Sequence, residues 1–405
     1  MPRRAPEILP RFVTHLSTMP SPLANLRRFG LAFERTVKQH RWLLRYAHCQ
    51  RVFHGWSEAA PEDPPAQSRR CLLDLRRIAS DGEQGRRFHA LVMLLRRGGY
   101  DLAMVPRLAF LQTGHRTFKA TALAETRPFF EDQLPADFRK FDLCLSDGTR
   151  THRHARRTVP VLTGTKRPLQ PGDLPMPYSF FPAVWDNGED RRFEAYRRRD
   201  RVWRLFFGGH CSQASYRRIK KYTRLRPLDR YRVVCEVHRY FADSTLSIHS
   251  DQQLESAQQQ RHEAFVMIDN ATYRTDASRW LGLLAQSDFF LAAPGCDYPL
   301  SHNAIEAIAV GTIPVLEYES LFTPPLRDGE NCIAYRGIDG LRHAVARIET
   351  MDEDDILRLR RGVIEYYESH LSPTAFCRDL QDQSTRRLHL FPYLTPAATR
   401  TRAAG

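Results

Sequence analysis

SDFFLAAPGCDYPLSHNAIEAIAVGTIPVL, residues Ser287 to Leu316, is the stretch that decides the fold. Phe289 to Ala293 is a short apolar run bounded by Pro294-Gly295, the pattern of a parallel strand covered on both faces. Ala304 to Val310 is small and apolar, with Glu306 in its first turns. Gly311 supplies a helix stop, and Pro314 stands in the next buried run, Ile313 to Leu316. The unit is βαβ. Its first loop ends at a helix N-terminus, where unpaired N–H groups and the helix dipole favour a bound anion. A carboxylate one turn further in, Glu306, can accept from a sugar hydroxyl; phosphate beside ribose means a nucleotide. Asn303-Ala304-Ile305-Glu306 also fits a capping box, with Glu306 reaching back to the Asn303 N–H.

Working outward, the same alternation recurs. Cys71 to Leu75, Tyr100 to Val105, Phe141 to Leu145 and Val159 to Leu162 read as strands of a first half. Phe88, Leu91, Val92, Leu94 and Leu95 give Gly85 to Arg97 a core-facing helical side, and Phe33 to Trp56 has helical spacing. A Pro/Gly-rich segment from Gly164 to Pro182 marks a boundary. Beyond it, Val202 to Phe207, Arg232 to Val237, Ala264 to Ile268, Phe289 to Ala293 and Ile313 to Leu316 read as a second strand series. Helices are expected at Gln213 to Tyr222, Asp276 to Ala285, Asn303 to Val310 and Asp352 to Ser369. The expected class is α/β, with two Rossmann-like domains facing a cleft. Residues 1–30 are expected to form an irregular basic segment, 31–180 an N-terminal Rossmann-like domain, 181–375 a C-terminal Rossmann-like domain and 376–405 a C-terminal tail.

The 405 residues suffice for two domains, and 42% hydrophobic with 26% charged residues is an ordinary globular balance. The net charge of +15 is not ordinary. Of 61 basic residues only six are lysines, so 55 are arginines. Such an excess suits phosphorylated substrates, anionic lipid or nucleic acid, or a merely solvated surface. Eight scattered cysteines without a C-x-x-C pair give neither a zinc spacing nor a disulfide framework, and imply reduced thiols in the cytoplasm. No run approaches a membrane span and no signal peptide is evident, so contact with an anionic membrane face would be peripheral.

The second half opens with Phe206-Phe207-Gly208-Gly209, a strand running into glycines that admit close approach, followed by Arg217, Arg218, Lys220 and Lys221. No P-loop signature is present, which argues against a P-loop kinase or ATPase. Taken in order, this opening, Ser287 to Leu291 with Pro294-Gly295, and Glu306-Ala307-Ile308 with Gly311-Thr312-Ile313-Pro314-Val315 resemble the C-terminal half of the exostosin-type glycosyltransferases. More loosely they resemble any two-Rossmann (GT-B) glycosyltransferase. The resemblance spans about residues 203–350. It implies a nucleotide-diphosphate sugar as donor substrate, held by Gly208, Gly209, Arg217, Arg218, Lys220, Pro294, Gly295, Ser301, His302 and Asn303, with Glu306 on the ribose. The chain departs from the exostosin pattern at Ser301-His302-Asn303, where a basic residue is usual, and at Thr312, where a cysteine is. Retaining GT-B enzymes often carry a glutamate eight positions before the ribose glutamate. Here that position is Tyr298, which points to inversion.

An inverting transferase needs a base for the acceptor hydroxyl. The glycine-rich stretch Ala79 to Gly85 offers Asp81 and Glu83, with His89 and His115 as further candidates; Asp81-Gly82 is equally a turn signal. Metal is not expected. Asp352 to Asp355 reads as charge at a helix N-terminus, and His152 and His154 as a surface pair. The implied acceptor is a saccharide or lipid-linked saccharide. Two rival readings stand beside this one: a nucleotide-sugar epimerase on the same fold, and a non-enzymatic polyanion-binding protein. Nucleic acid is the least expected partner, because no recognised binding module is present.

Overall fold

A computed structural model describes residues 47–61, 68–77, 85–113, 117–130, 140–149, 151–163, 169–216, 227–295 and 298–390. Residues 47–51 are helical. The expected basic segment 1–30 and the start of the Phe33 helix lie outside the described residues. From Val52 onward the chain forms one unit built on two parallel sheets.

The first sheet contains β1 (Arg69–Asp74), β2 (Tyr100–Met104), β3 (Arg127–Pro128), β4 (Phe141–Ser146), β5 (Ala155–Leu162) and β6 (Asp173–Pro175). It also contains a late strand, β13 (Arg387–His389), and its order is β3-β2-β1-β4-β5-β13-β6. Helix α1 (Arg86–Arg97) turns Phe88, Leu91, Val92 and Leu95 into the core, as the apolar spacing predicts. The second sheet contains β7 (Trp203–Gly209), β8 (Leu246–Ser247), β9 (His262–Asp269), β10 (Ser287–Leu291), β11 (Ile313–Leu316) and β12 (Ile333–Ala334), in the order β12-β11-β10-β7-β9-β8. Every pairing in both sheets is parallel. This is the expected α/β class with two Rossmann-like sheets. In each, strand order reverses beside the first strand: between β1 and β4, and between β7 and β10. Parallel α/β sheets open a crevice at the carboxyl ends of such a pair.

Four expectations are corrected. Arg232 to Val237 is not a strand but lies in helix α3 (Arg230–Tyr240). Asp229 caps it by accepting from the Arg232 N–H at 3.0 Å, and Val233, Val234 and Val237 are buried at helical spacing. Residues 376–389 are not a tail. Helix α7 (Pro373–Gln381) packs on α1, and β13 pairs with both β5 and β6, so the chain returns to its first sheet. His152 and His154 are buried, with ring centroids 6.3 and 5.7 Å from that of Phe129, rather than a surface pair. Nor is the arginine excess a merely solvated surface throughout: Arg201 is buried and donates to Val310 O at 2.7 Å and Thr312 Oγ1 at 3.0 Å.

The return of α7 depends on Gly98. A Cβ there would clash with Cys377 Sγ and come within 2.9 Å of both Cys377 Cβ and Pro373 O. Overpacking at such a contact costs about 1–3 kcal/mol, so Gly98→Ala is expected to lower stability by that amount in urea denaturation. An unchanged midpoint would show that α7 is not seated on α1.

Candidate functional site

Sequence dictates a glycine at each of three strand or loop ends around the second crevice, for different reasons. At Gly208 a Cβ would lie 2.5 Å from the Trp280 ring, so this glycine admits a tryptophan rather than a ligand. Gly209 has φ of 149°, and a Cβ there would face Arg230 Nη1 at 3.4 Å and Asn303 Nδ2 at 3.8 Å. At Gly295 a Cβ would clash with Tyr298 O, and the Gly295 N–H donates to Pro299 O at 3.0 Å. That amide is therefore spent inside its own loop.

Across the crevice, helix α5 (His302–Ala309) begins at Ser301, an extended residue that makes no side-chain cap bond. The capping box expected between Asn303 and Glu306 does not form. Ser301 is 8% exposed, and its Oγ faces the buried Tyr318 hydroxyl. Among the described residues the first-turn N–H groups of α5 thus receive no cap from the N-cap side chain, and a buried hydroxyl stands beside them. Such a helix end carries partial positive charge.

Two arginines flank it. Arg230 is buried and gathers the strand ends. Nε donates to Pro294 O at 3.0 Å, Nη1 to Tyr216 Oη at 2.8 Å and His210 O at 3.3 Å, and Nη2 to Ala293 O at 3.3 Å. Arg86, the first residue of α1, places Nη2 2.9 Å from His302 Nδ1 and its guanidinium 5.3 Å from the Phe181 ring centre. Neither arginine pairs with a carboxylate among the described residues. Burial, then the charges of Arg86 and Arg230, hold the His302 imidazolium well below its ordinary pKa, so the ring is neutral near pH 7. Nδ1 then accepts from Arg86, and the ring proton lies on Nε2.

Glu306 is fully buried. Its Oε1 accepts from the Phe181 N–H at 2.7 Å and its Oε2 from Trp280 Nε1 at 2.7 Å. Burial pushes its pKa from 4.5 up to about 7, against the opposing pull of those two donors and of Arg86. Helix α2 (Pro182–Asp186) starts directly after Phe181, so Glu306 also ties α5 to the segment that joins the sheets.

These residues enclose a cavity of 510 Å³ at the β7/β10 switch point, lined among others by Arg86, Phe181, Gly208, Gly209, Arg230, Trp280, Gly295, Ser301, His302, Asn303 and Glu306. Of the expected donor residues, the structure brings together Gly208, Gly209, Gly295, Ser301, His302, Asn303 and Glu306, with Pro294 held by Arg230. Arg217, Arg218 and Lys220 lie outside the described residues, as do Asp81, Glu83 and His115. His89 is buried, with Nε2 2.9 Å from Asp186 Oδ1, and is engaged away from the cavity. A second cavity of 170 Å³ is walled chiefly by apolar residues such as Met176, Leu300, Leu321, Phe322 and Leu371. Its arginine, Arg87, is stacked on Tyr178 at 4.2 Å, so it is a poor seat for a polyanion.

Among the described residues no group of three His, Cys, Asp or Glu side chains converges to hold a metal, and Asp352 caps its helix by accepting from the Asp355 N–H at 2.8 Å. No helix among them is long and apolar enough to cross a membrane.

No family model and no curated protein matches the chain. Among solved structures, a glycosyltransferase from Rickettsia africae ESF-5 is 8% identical, with 78% of this chain and 97% of that one covered, at a TM-score of 0.40. Anabaena HepE in complex with UDP is 11% identical over 77% and 98%, at 0.33. The Thermobaculum terrenum O-GlcNAc transferase is 10% identical over 84% and 73%, at 0.35. Likenesses this distant say nothing of what the present chain does, and its two-sheet architecture rests on the strand orders above.

Proposed function

We propose that the chain is a metal-independent, inverting glycosyltransferase. It takes a nucleotide-diphosphate sugar as donor and delivers the sugar to a saccharide or lipid-linked saccharide, in the cytoplasm or at an anionic membrane face. One conjunction supports this reading above all. At the switch point of the second sheet, a helix N-terminus whose N-cap side chain makes no cap bond, the buried Ser301 hydroxyl and two arginines without carboxylate partners among the described residues converge on one cavity. A diphosphate is the group such donors suit. Glu306, one turn along α5, lines the same cavity and is the proposed contact for the ribose.

In the transfer, the acceptor hydroxyl oxygen bonds to the anomeric carbon as the bond from that carbon to the diphosphate breaks. The diphosphate leaves with the electron pair, and the hydroxyl proton passes to a carboxylate base. The helix end and the arginines stabilise the charge that develops on the leaving group. Asp81 and Glu83 are the proposed bases; Glu83 stands three residues before Arg86, which lines the cavity.

Thermal-shift and calorimetric titration of the full chain with UDP, GDP, ADP and their sugar derivatives tests the reading. One nucleotide family is expected to raise the melting temperature. Ser301→Phe, which fills the cavity beside the α5 N-terminus, is expected to weaken that nucleotide by about tenfold or more. No stabilisation by any of them, or full affinity in Ser301→Phe, would reject the site.

A further inference from the structure

We infer that Arg86, carried by the first sheet's own helix, is a direct ligand of the donor diphosphate, so that the site is completed across the two sheets; the inference rests on the nucleotide-sugar reading above. Helix α1 is anchored by its buried face in the first-sheet core, which fixes the base of the Arg86 side chain. The guanidinium leaves that core and reaches the first residue of α5, on the second sheet's side of the cavity. The Phe181 ring lies 5.3 Å away and offers its guanidinium no hydrogen-bond acceptor.

The donor inventory separates the two arginines of the site. Arg230 donates to three carbonyls and a tyrosine hydroxyl, and its N–H groups are largely committed to holding strand ends. Arg86 has five N–H donors and, among the described residues, gives one hydrogen bond, to His302. Elsewhere in the chain, other arginines are committed to carboxylates, Arg97 to Asp190 at 2.6 Å and Arg107 to Asp74 at 2.6 Å. Arg86 therefore lines the cavity beside the first residue of α5 with most of its donors uncommitted among the described residues, and a phosphate could be met by two of them at once. The bland alternative is that Arg86 only braces His302.

Glutamine at this position separates the two roles, because it can still donate to His302 Nδ1 but carries no charge. Calorimetry of the full chain would use inorganic pyrophosphate, UDP, GDP and ADP as probes, with the corresponding nucleosides as phosphate-free controls. Arg86→Gln is expected to weaken pyrophosphate and the preferred nucleoside diphosphate by about tenfold or more, leave nucleoside binding within about twofold, and flatten the salt dependence. Arg86→Lys is expected to recover part of the loss. Wild-type affinity in a folded Arg86→Gln overturns the inference while leaving the nucleotide reading intact. If Arg86→Gln fails to fold, Arg86→Lys decides: its single point charge should still cost diphosphate affinity but not nucleoside affinity, and equal affinity for all probes overturns the inference. Failure of every nucleoside diphosphate and of pyrophosphate to bind the unaltered chain removes the nucleotide reading, and the inference with it.

Discussion

Arg230→Met is expected to lower the free energy of unfolding by about 3–5 kcal/mol, the largest loss from any single substitution around the site. The guanidinium satisfies carbonyls at the ends of two neighbouring strands, His210 after β7 and Ala293 and Pro294 after β10, together with the Tyr216 hydroxyl. Methionine fills much of the volume and removes every donor. Each buried carbonyl left unpaired costs about 1–3 kcal/mol, less where the original bond is long, as two of these are at 3.3 Å. The strand ends that frame the crevice would then separate, so nucleotide and pyrophosphate affinity should fall with stability. Arg230→Lys can restore one or two of the four bonds and should sit between the two. Urea denaturation followed by circular dichroism measures the effect. A methionine variant within about 0.5 kcal/mol of the parent would mean that the strand ends hold themselves.

The second large effect is a pH dependence. The folded chain raises the Glu306 pKa from 4.5 to about 7 because burial disfavours the carboxylate more than Phe181, Trp280 and Arg86 favour it. Folding therefore prefers the protonated form, so the contribution of Glu306 to stability is complete below about pH 4.5 and is lost as pH rises through about 7. The full span is about 3 kcal/mol, at about 1.4 kcal/mol for each tenfold change in proton affinity. Glu306→Gln does not titrate. It keeps an acceptor for the Phe181 N–H and gives up the bond from Trp280. The difference in unfolding free energy between parent and Glu306→Gln should therefore move against the parent by about 3 kcal/mol between pH 5 and 9. A difference constant across that range would show that Glu306 titrates as an ordinary exposed carboxylate does.

Much of the architecture was legible because parallel strands buried on both faces carry continuous apolar runs. Ile313 to Leu316 is a strand over those same residues, and Phe289 to Ala293 overlaps β10 closely. Arg232 to Val237 misled because Val233, Val234 and Val237 satisfy a strand and a helix equally well over so short a window. Asp229, the helix cap one residue before Arg230, was the deciding signal. Strand β13 has three residues and takes its identity entirely from β5 and β6, which lie more than 200 positions earlier. No local pattern can announce it.

The candidate site divides in the same way. Ser301 to Glu306 and the Gly208-Gly209 turn announced themselves, because a strand, a glycine and a helix start follow one another within a few residues. The roles of two of them did not. Gly208 makes room for Trp280, and Glu306 grips Phe181, a residue 125 positions away. Arg86 and Arg230 were invisible for a statistical reason: among 55 arginines, no single one stands out until its neighbours in space are known.

The late strand β13 has a consequence for how this polypeptide is made. The second sheet is assembled from one uninterrupted stretch, Trp203 to Ala334, and can close as soon as that stretch has left the ribosome. The first sheet cannot. Its β5 and β6 are joined only through residues 387–389, so a gap runs through it until those residues have been made. The sheet begun earlier is completed later than the second, and a nascent chain stalled before residue 387 would carry an open edge on β5 exposed to other chains.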